Sequence, residues 1–113
     1  MTLKYLSNNK LQKITNTLSK EAFDNPYPYP IIFVDPKEVN TARFYPCVDI
    51  PGGHEDECFI EVSKKLRKAS PQTFIRCLLS CLKEYNDWWY GYEVRCALTQ
   101  EDINNLIKTL DEP

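Results

Sequence analysis

Glycine is scarce, with three in 113 residues, and two of them are adjacent at Gly52-Gly53. Neither a G-x-G-x-x-G turn nor a glycine loop ending in Lys-Ser/Thr can be assembled, which excludes the common phosphate cradles. Histidine occurs once, at His54, so no two-histidine zinc frame exists. The cysteines are Cys47, Cys58, Cys77, Cys81 and Cys96, and none are spaced C-x-x-C. Their odd number argues against a secreted disulfide framework. Thiols packed as small hydrophobes are expected instead. Long apolar runs are also missing. No window approaches the roughly 18 residues of a membrane span, and the start, MTLKYLSNNK, carries no apolar stretch that reads as a signal peptide. The expected compartment is the cytoplasm, with no membrane contact.

What the chain does contain is ordinary for a folded domain. Hydrophobic residues make up 42% and charged residues 27%, enough apolar and aromatic side chains to exclude disorder. The length fits a single domain spanning residues 1–113. The formal net charge of −2 is unevenly spread. The first twenty residues hold lysines and no acid, whereas residues 84–113 hold seven acids against Arg95 and Lys108. An acidic C-terminal third is a poor match for a phosphate backbone, so nucleic acid is not an expected partner. A basic protein is a better one.

Periodicity divides the chain into helices and strands. Leu11, Ile14, Leu18 and Ala22 recur at steps of three and four, predicting a helix over residues 8–24 capped by Ser7 or Asn8. Asn25-Pro26-Tyr27-Pro28-Tyr29-Pro30 ends it as a stiff extended connector that packs its tyrosines on the domain. Residues 31–34 read as a buried strand. Residues 42–50 read as a second, which Pro46 confines to an edge or a bulge. After the turn at Pro51-Gly52-Gly53-His54-Glu55-Asp56, two periods compete. Cys58, Ile60 and Val62 alternate as a strand closing a hairpin, while Phe59, Val62, Leu66 and Ala69 keep helical spacing. The strand is favoured to about residue 62, followed by a short basic helical stretch through Lys64, Lys65, Arg67 and Lys68. Ser70-Pro71 opens a helix whose apolar face, Phe74, Leu78, Cys81, Leu82 and Tyr85, runs to about Asn86. Residues 92–98 alternate as a strand. Thr99 and Asp102 frame a capping box before a last helix bearing Ile103, Leu106, Ile107 and Leu110. The predicted class is α+β, a small antiparallel or mixed sheet of about three or four strands covered by about three or four helices.

No catalytic residue and no cofactor is assigned. His54, Asp56 and Cys58 are atom types that zinc accepts, and Cys47 or Cys58 beside His54 has the form of an activated nucleophile. A metal- or cysteine-dependent enzyme centred on these residues is the alternative reading. A solvated acidic turn explains the same residues without chemistry. Glu55, Asp56 and Glu57 are adjacent but form no general acid–base pair on adjacency alone. Likewise the run 64–68 has no interleaved aromatic platform for RNA and reads as a solvated face.

The informative stretch is residues 84–93, where Tyr85, Trp88, Trp89, Tyr90 and Tyr92 put five rings and both tryptophans of the chain among Glu84, Asp87 and Glu93. Consecutive side chains leave a helix or strand in different directions, so rings from this stretch are expected at the surface. Tryptophan and tyrosine dominate interface hot spots, and carboxylates around them suit arginine stacking from a basic partner. In size, charge sign and lack of a catalytic motif the chain is similar to bacterial immunity proteins that neutralise nuclease toxins. That resemblance is one of type, covers no defined motif and implies inhibition by occlusion; the ring and carboxylate pattern itself nominates Glu84, Asp87, Trp88, Trp89, Tyr90, Tyr92 and Glu93, together with Glu55, Asp56 and Glu57, to face a basic active site. A homodimeric structural or regulatory subunit burying the same rings is the remaining alternative.

Overall fold

The computed structural model describes residues 3–46 and 58–111. A 3-10 turn at Leu3–Tyr5 leads into helix α1, Asn8–Phe23. The cap is Ser7, whose Oγ accepts the Lys10 N–H at 3.2 Å. At the far end Asp24 adopts the left-handed conformation, φ 55°, and its N–H returns to the Lys20 carbonyl. Leu11, Leu18 and Ala22 are buried and Ile14 is half-buried, as the stripe requires.

The proline connector does pack on the body. Tyr27 is fully buried, its hydroxyl donating to the Pro30 carbonyl at 2.8 Å, while Asn16 accepts its N–H at 2.9 Å. Strand β1, Ile31–Val34, follows. Strand β2, Ala42–Tyr45, stops at Pro46, short of the predicted residue 50; residues 47–50 lie outside the described residues. Strand β3 spans Phe59–Ser63, so the alternating period wins over the helical one there. The sheet order is β1-β3-β2, with β1 parallel and β2 antiparallel to β3, so β2 is an edge strand. Ile31 and Phe44 both pair with Ile60, and Phe33 and Ala42 with Val62, which puts these six side chains on one face.

That face carries the helices: α1 packs on β1, and helix α2, Pro71–Tyr90, packs on β2, with helix α3, Gln100–Asp111, against α2. The architecture is therefore α+β, with three helices and a three-stranded mixed sheet among the described residues. Between β3 and α2 lies the basic stretch, a 3-10 helix at Lys64–Lys68. It is not a uniformly solvated face. Arg67 lies 3.8 Å from the Phe33 ring centroid and donates to the carbonyls of Leu3, Lys4 and Leu6, tying down the N-terminal turn.

Two expectations are corrected. Helix α2 runs to Tyr90 rather than Asn86, ending at Gly91 in the left-handed region. Its length comes from tertiary support. Buried Asn86 accepts from Asn25 and donates to Ser19 Oγ and the Leu82 carbonyl, holding the helix against α1 and the connector past the point where propensity weakens. Residues 92–98 are not a strand. They cross helix ends, the Ala97 N–H donating to the Ala22 carbonyl at 2.8 Å, and among the described residues no sheet edge pairs with them. The capping box forms in full: Asp102 N–H donates to Thr99 Oγ1 and Thr99 N–H to Asp102 Oδ2.

Candidate functional site

The aromatic stretch sits on the last turns of α2 and just beyond. Phe74, Leu78, Leu82 and Tyr85 step along the helix by fours and threes and are enclosed in the core. Trp89 is the next member of that series, four residues after Tyr85, and Trp88 lies beside it at a step of three. Both therefore continue the core-facing stripe, yet Trp88 is 41% and Trp89 50% exposed. Trp88 meets Phe44 and Trp89 meets Tyr29, yet both keep about half their surface in solvent although they lie on the core-facing stripe.

Ring contacts divide the predicted patch in two. The first group grades from core to surface: Tyr27 against Tyr85 at 4.9 Å between centroids, Phe44 against Tyr85 at 5.7 Å and Trp88 at 6.1 Å, and Trp89 against Tyr85 at 6.2 Å. Tyr29 joins this group, 6.5 Å from Trp89, and the two indoles stand 6.4 Å apart and tilted by 58°. The second group is Tyr90 with Tyr92, 5.7 Å apart. Tyr90 is anchored, its hydroxyl donating to the carbonyls of Phe23 and Asp24 at the end of α1. Tyr92 is 64% exposed. Sequence reasoning missed Tyr29 and Phe44 as members. The connector tyrosines were visible as packing residues, but nothing in the sequence tied Phe44 to the indoles.

The carboxylates also separate by role. Asp87 Oδ2 takes Lys83 Nζ at 2.8 Å and Oδ1 accepts the Val94 N–H at 2.7 Å. Lys83 and then the Val94 amide hold this carboxyl below its ordinary range. It is spent on fixing the segment after Gly91. Glu93 lies 3.5 Å from the same lysine, with its side chain mostly exposed. Glu84 is exposed, one turn before Trp88 on the same helix, and no salt bridge engages it among the described residues. Glu84 is thus the acid most available beside the indoles.

Glu55, Asp56 and Glu57, with His54 and Cys47, lie outside the described residues. Cys58 is enclosed in the core, near Tyr27 and Tyr85. Cys81 is buried, Cys77 half-buried and Cys96 exposed, and none of these four is in a disulfide. Burial pushes the Cys81 thiol up to about 12, which keeps it protonated and unreactive. Among the described residues no group of three or more histidine, cysteine or carboxylate side chains converges as a metal site. No described helix is long and apolar enough to cross a membrane.

What the arrangement can do is bind. Two half-exposed indoles, two rings behind them that lock their base and one available carboxylate form a rigid apolar platform with a charged rim. No family model matches the chain, nor does any curated protein or solved structure.

Proposed function

We propose that this protein is a non-enzymatic binding protein that occludes a basic cleft on another protein, and that the partner is a toxin, a nuclease being the class whose cationic cleft fits best. The observation that carries this reading is the exposure of Trp88 and Trp89 on the core-facing stripe of α2. Large rings left in water at the end of an otherwise buried series leave hydrophobic stabilisation unclaimed. Each indole seated in a partner contributes on the order of 2 kcal/mol or more. Glu84 beside them, with the net negative charge of the chain, speeds encounter with a cationic surface, and the rings slow dissociation.

The test is a rescue experiment with the product of the adjacent gene. That product is expressed alone and together with this chain, and growth is followed. Rescue by the wild-type chain, lost in the Trp88→Ala/Trp89→Ala double variant while its fold persists by circular dichroism, is the expected result. A harmless neighbour, or rescue undiminished by the double variant, overturns it.

A further inference from the structure

The sheet has two edges, and they are not alike. In the parallel ladder the Ile60 N–H donates to the Pro30 carbonyl at 3.1 Å. Ile32 and Val34 therefore spend their main-chain groups on β3, while Ile31 and Phe33 turn theirs outward. Helix α1 guards that edge, and its Asn8 Oδ1 accepts the outward Phe33 N–H at 3.4 Å. Across the sheet the Ser63 N–H donates to the Thr41 carbonyl at 2.7 Å. With Ala42 opposite Val62 and Arg43 opposite Glu61, the hydrogen-bonded pairs are 41 with 63, 43 with 61 and 45 with 59. Ala42 and Phe44 belong to the alternate pairs. Their N–H and C=O groups point away from β3 and meet no hydrogen-bonding group among the described residues. Strand β2 is thus extended and ladder-paired, with one open side.

The side chains flanking that open side narrow the occupant. Phe44 holds the helix face and meets Trp88 at 6.1 Å, so the residue of an added strand opposite Phe44 enters on the side of that indole. Arg43 holds the other face. It is exposed, lies 5.0 Å from the Tyr45 ring and makes no ion pair with Glu61 or any other described acid. A second copy of the chain fits poorly. The two-fold register that uses Ala42 and Phe44 of both copies sets Arg43 directly against Arg43. Sliding it by one pair brings in Pro46, which has no N–H, or Asn40, which lies outside the strand. We infer that the outer side of β2 is a docking edge for an extended segment of the partner protein, which joins the sheet as a fourth strand. That segment alternates apolar residues, on the Trp88 side, with carboxylates, on the Arg43 side. This rests on the docking role proposed above for Trp88 and adds a main-chain component to it. The carboxylate answers Arg43 alone and leaves the partner's cationic cleft to Glu84.

The probe is the peptide acetyl-Thr-Val-Glu-Val-Glu-Val-Thr-amide, titrated into isotope-labelled protein and followed by amide and indole resonances. The expected result is movement of the Ala42 and Phe44 amide signals, with hydrogen exchange at those amides slowed by about tenfold. N-methylation of the three valines, whose amides face β2, abolishes both changes. N-methylation of the two glutamates, whose amides face away, leaves them. Lysine in place of both glutamates weakens binding by about tenfold, and Arg43→Glu reverses that order. Ala42→Pro removes an outward donor and no bond to β3, and also weakens binding by about tenfold. Where that variant fails to fold, the two N-methylated peptides on the wild-type chain decide. Equal binding of those two peptides, or no response at millimolar peptide, overturns strand addition and leaves growth rescue through the indoles standing. Loss of growth rescue with the peptide results intact overturns the toxin reading instead. Preference of the wild-type chain for the lysine peptide overturns the charge assignment. Self-association that Ala42→Pro abolishes makes a second copy the occupant and overturns the assignment to a different protein.

Discussion

At the last turn of α2 the Gly91 backbone lies at φ 78°, and its N–H closes the helix on the Asp87 carbonyl at 3.0 Å. A Cβ placed on Gly91 meets nothing within 4 Å, so the cost of Gly91→Ala is conformational alone. It should destabilise the fold by about 1 kcal/mol, seen as a lower urea midpoint at unchanged slope. Asp87 completes the turn from the other side. Lys83 and the Val94 amide favour its ionised form, so its folded pKa lies below the unfolded value of 3.8. A depressed carboxyl stabilises the fold above its unfolded pKa, and that contribution vanishes as pH falls through the lower folded value. Asp87→Asn should therefore flatten the loss of stability as pH falls below about 4. The exposed Lys83 pair itself adds little, so Lys83→Ala should change the urea midpoint far less than Asp87→Ala, which orphans the Val94 amide at about 1 kcal/mol.

Helix α2 holds two kinds of residue on one stripe. Leu82 is fully enclosed, while Trp89, two turns on, is half in water. Leu82→Ala should cost about 2–5 kcal/mol. Trp89→Ala should cost only about 1 kcal/mol, although it deletes a larger side chain, because its outer half gains nothing from folding. Equilibrium unfolding of the two variants checks this, and an equal loss would mean that Trp89 belongs to the core. At this scale most of the fold was legible in the sequence. Ser7, Ser70 and Thr99 announced helix starts, and the alternation of Cys58, Ile60 and Val62 announced β3. Legibility failed where a distant contact decides the outcome. The apolar face of the helix reads as ending near Asn86 until Ser19 and Asn25 are placed around that residue. Residues 92–98 read as a strand until it is clear that α1 and α2, rather than a sheet, lie alongside. The rings of residues 88–92 were legible as a surface cluster, but their partners Tyr29 and Phe44 come from elements far apart in sequence.

The whole molecule is closed by a tyrosine-lined core. Burial raises Tyr85 from its ordinary 10.0 up to about 12, and raises Tyr27 further still. Tyr85 also receives Asn25 and reaches the Pro26 carbonyl, so α2, the connector and α1 meet around it. An acid whose pKa is raised on folding stabilises the fold below its unfolded pKa. As pH climbs past 10.0 the unfolded chain ionises first, and stability declines until the folded values are passed. The urea midpoint should thus fall from pH about 10 up to about 12, and Tyr27→Phe should fall less steeply over that range. The indoles sit at the outer edge of this closure, each in ring contact with Tyr85. Both tryptophans of the chain stand at one end of one helix, half in solvent. The tryptophan fluorescence of the protein therefore originates from a single region. A blue shift with loss of acrylamide quenching, under conditions that leave far-ultraviolet dichroism unchanged, reports the arrival of a neighbour at that end and no other event in the molecule.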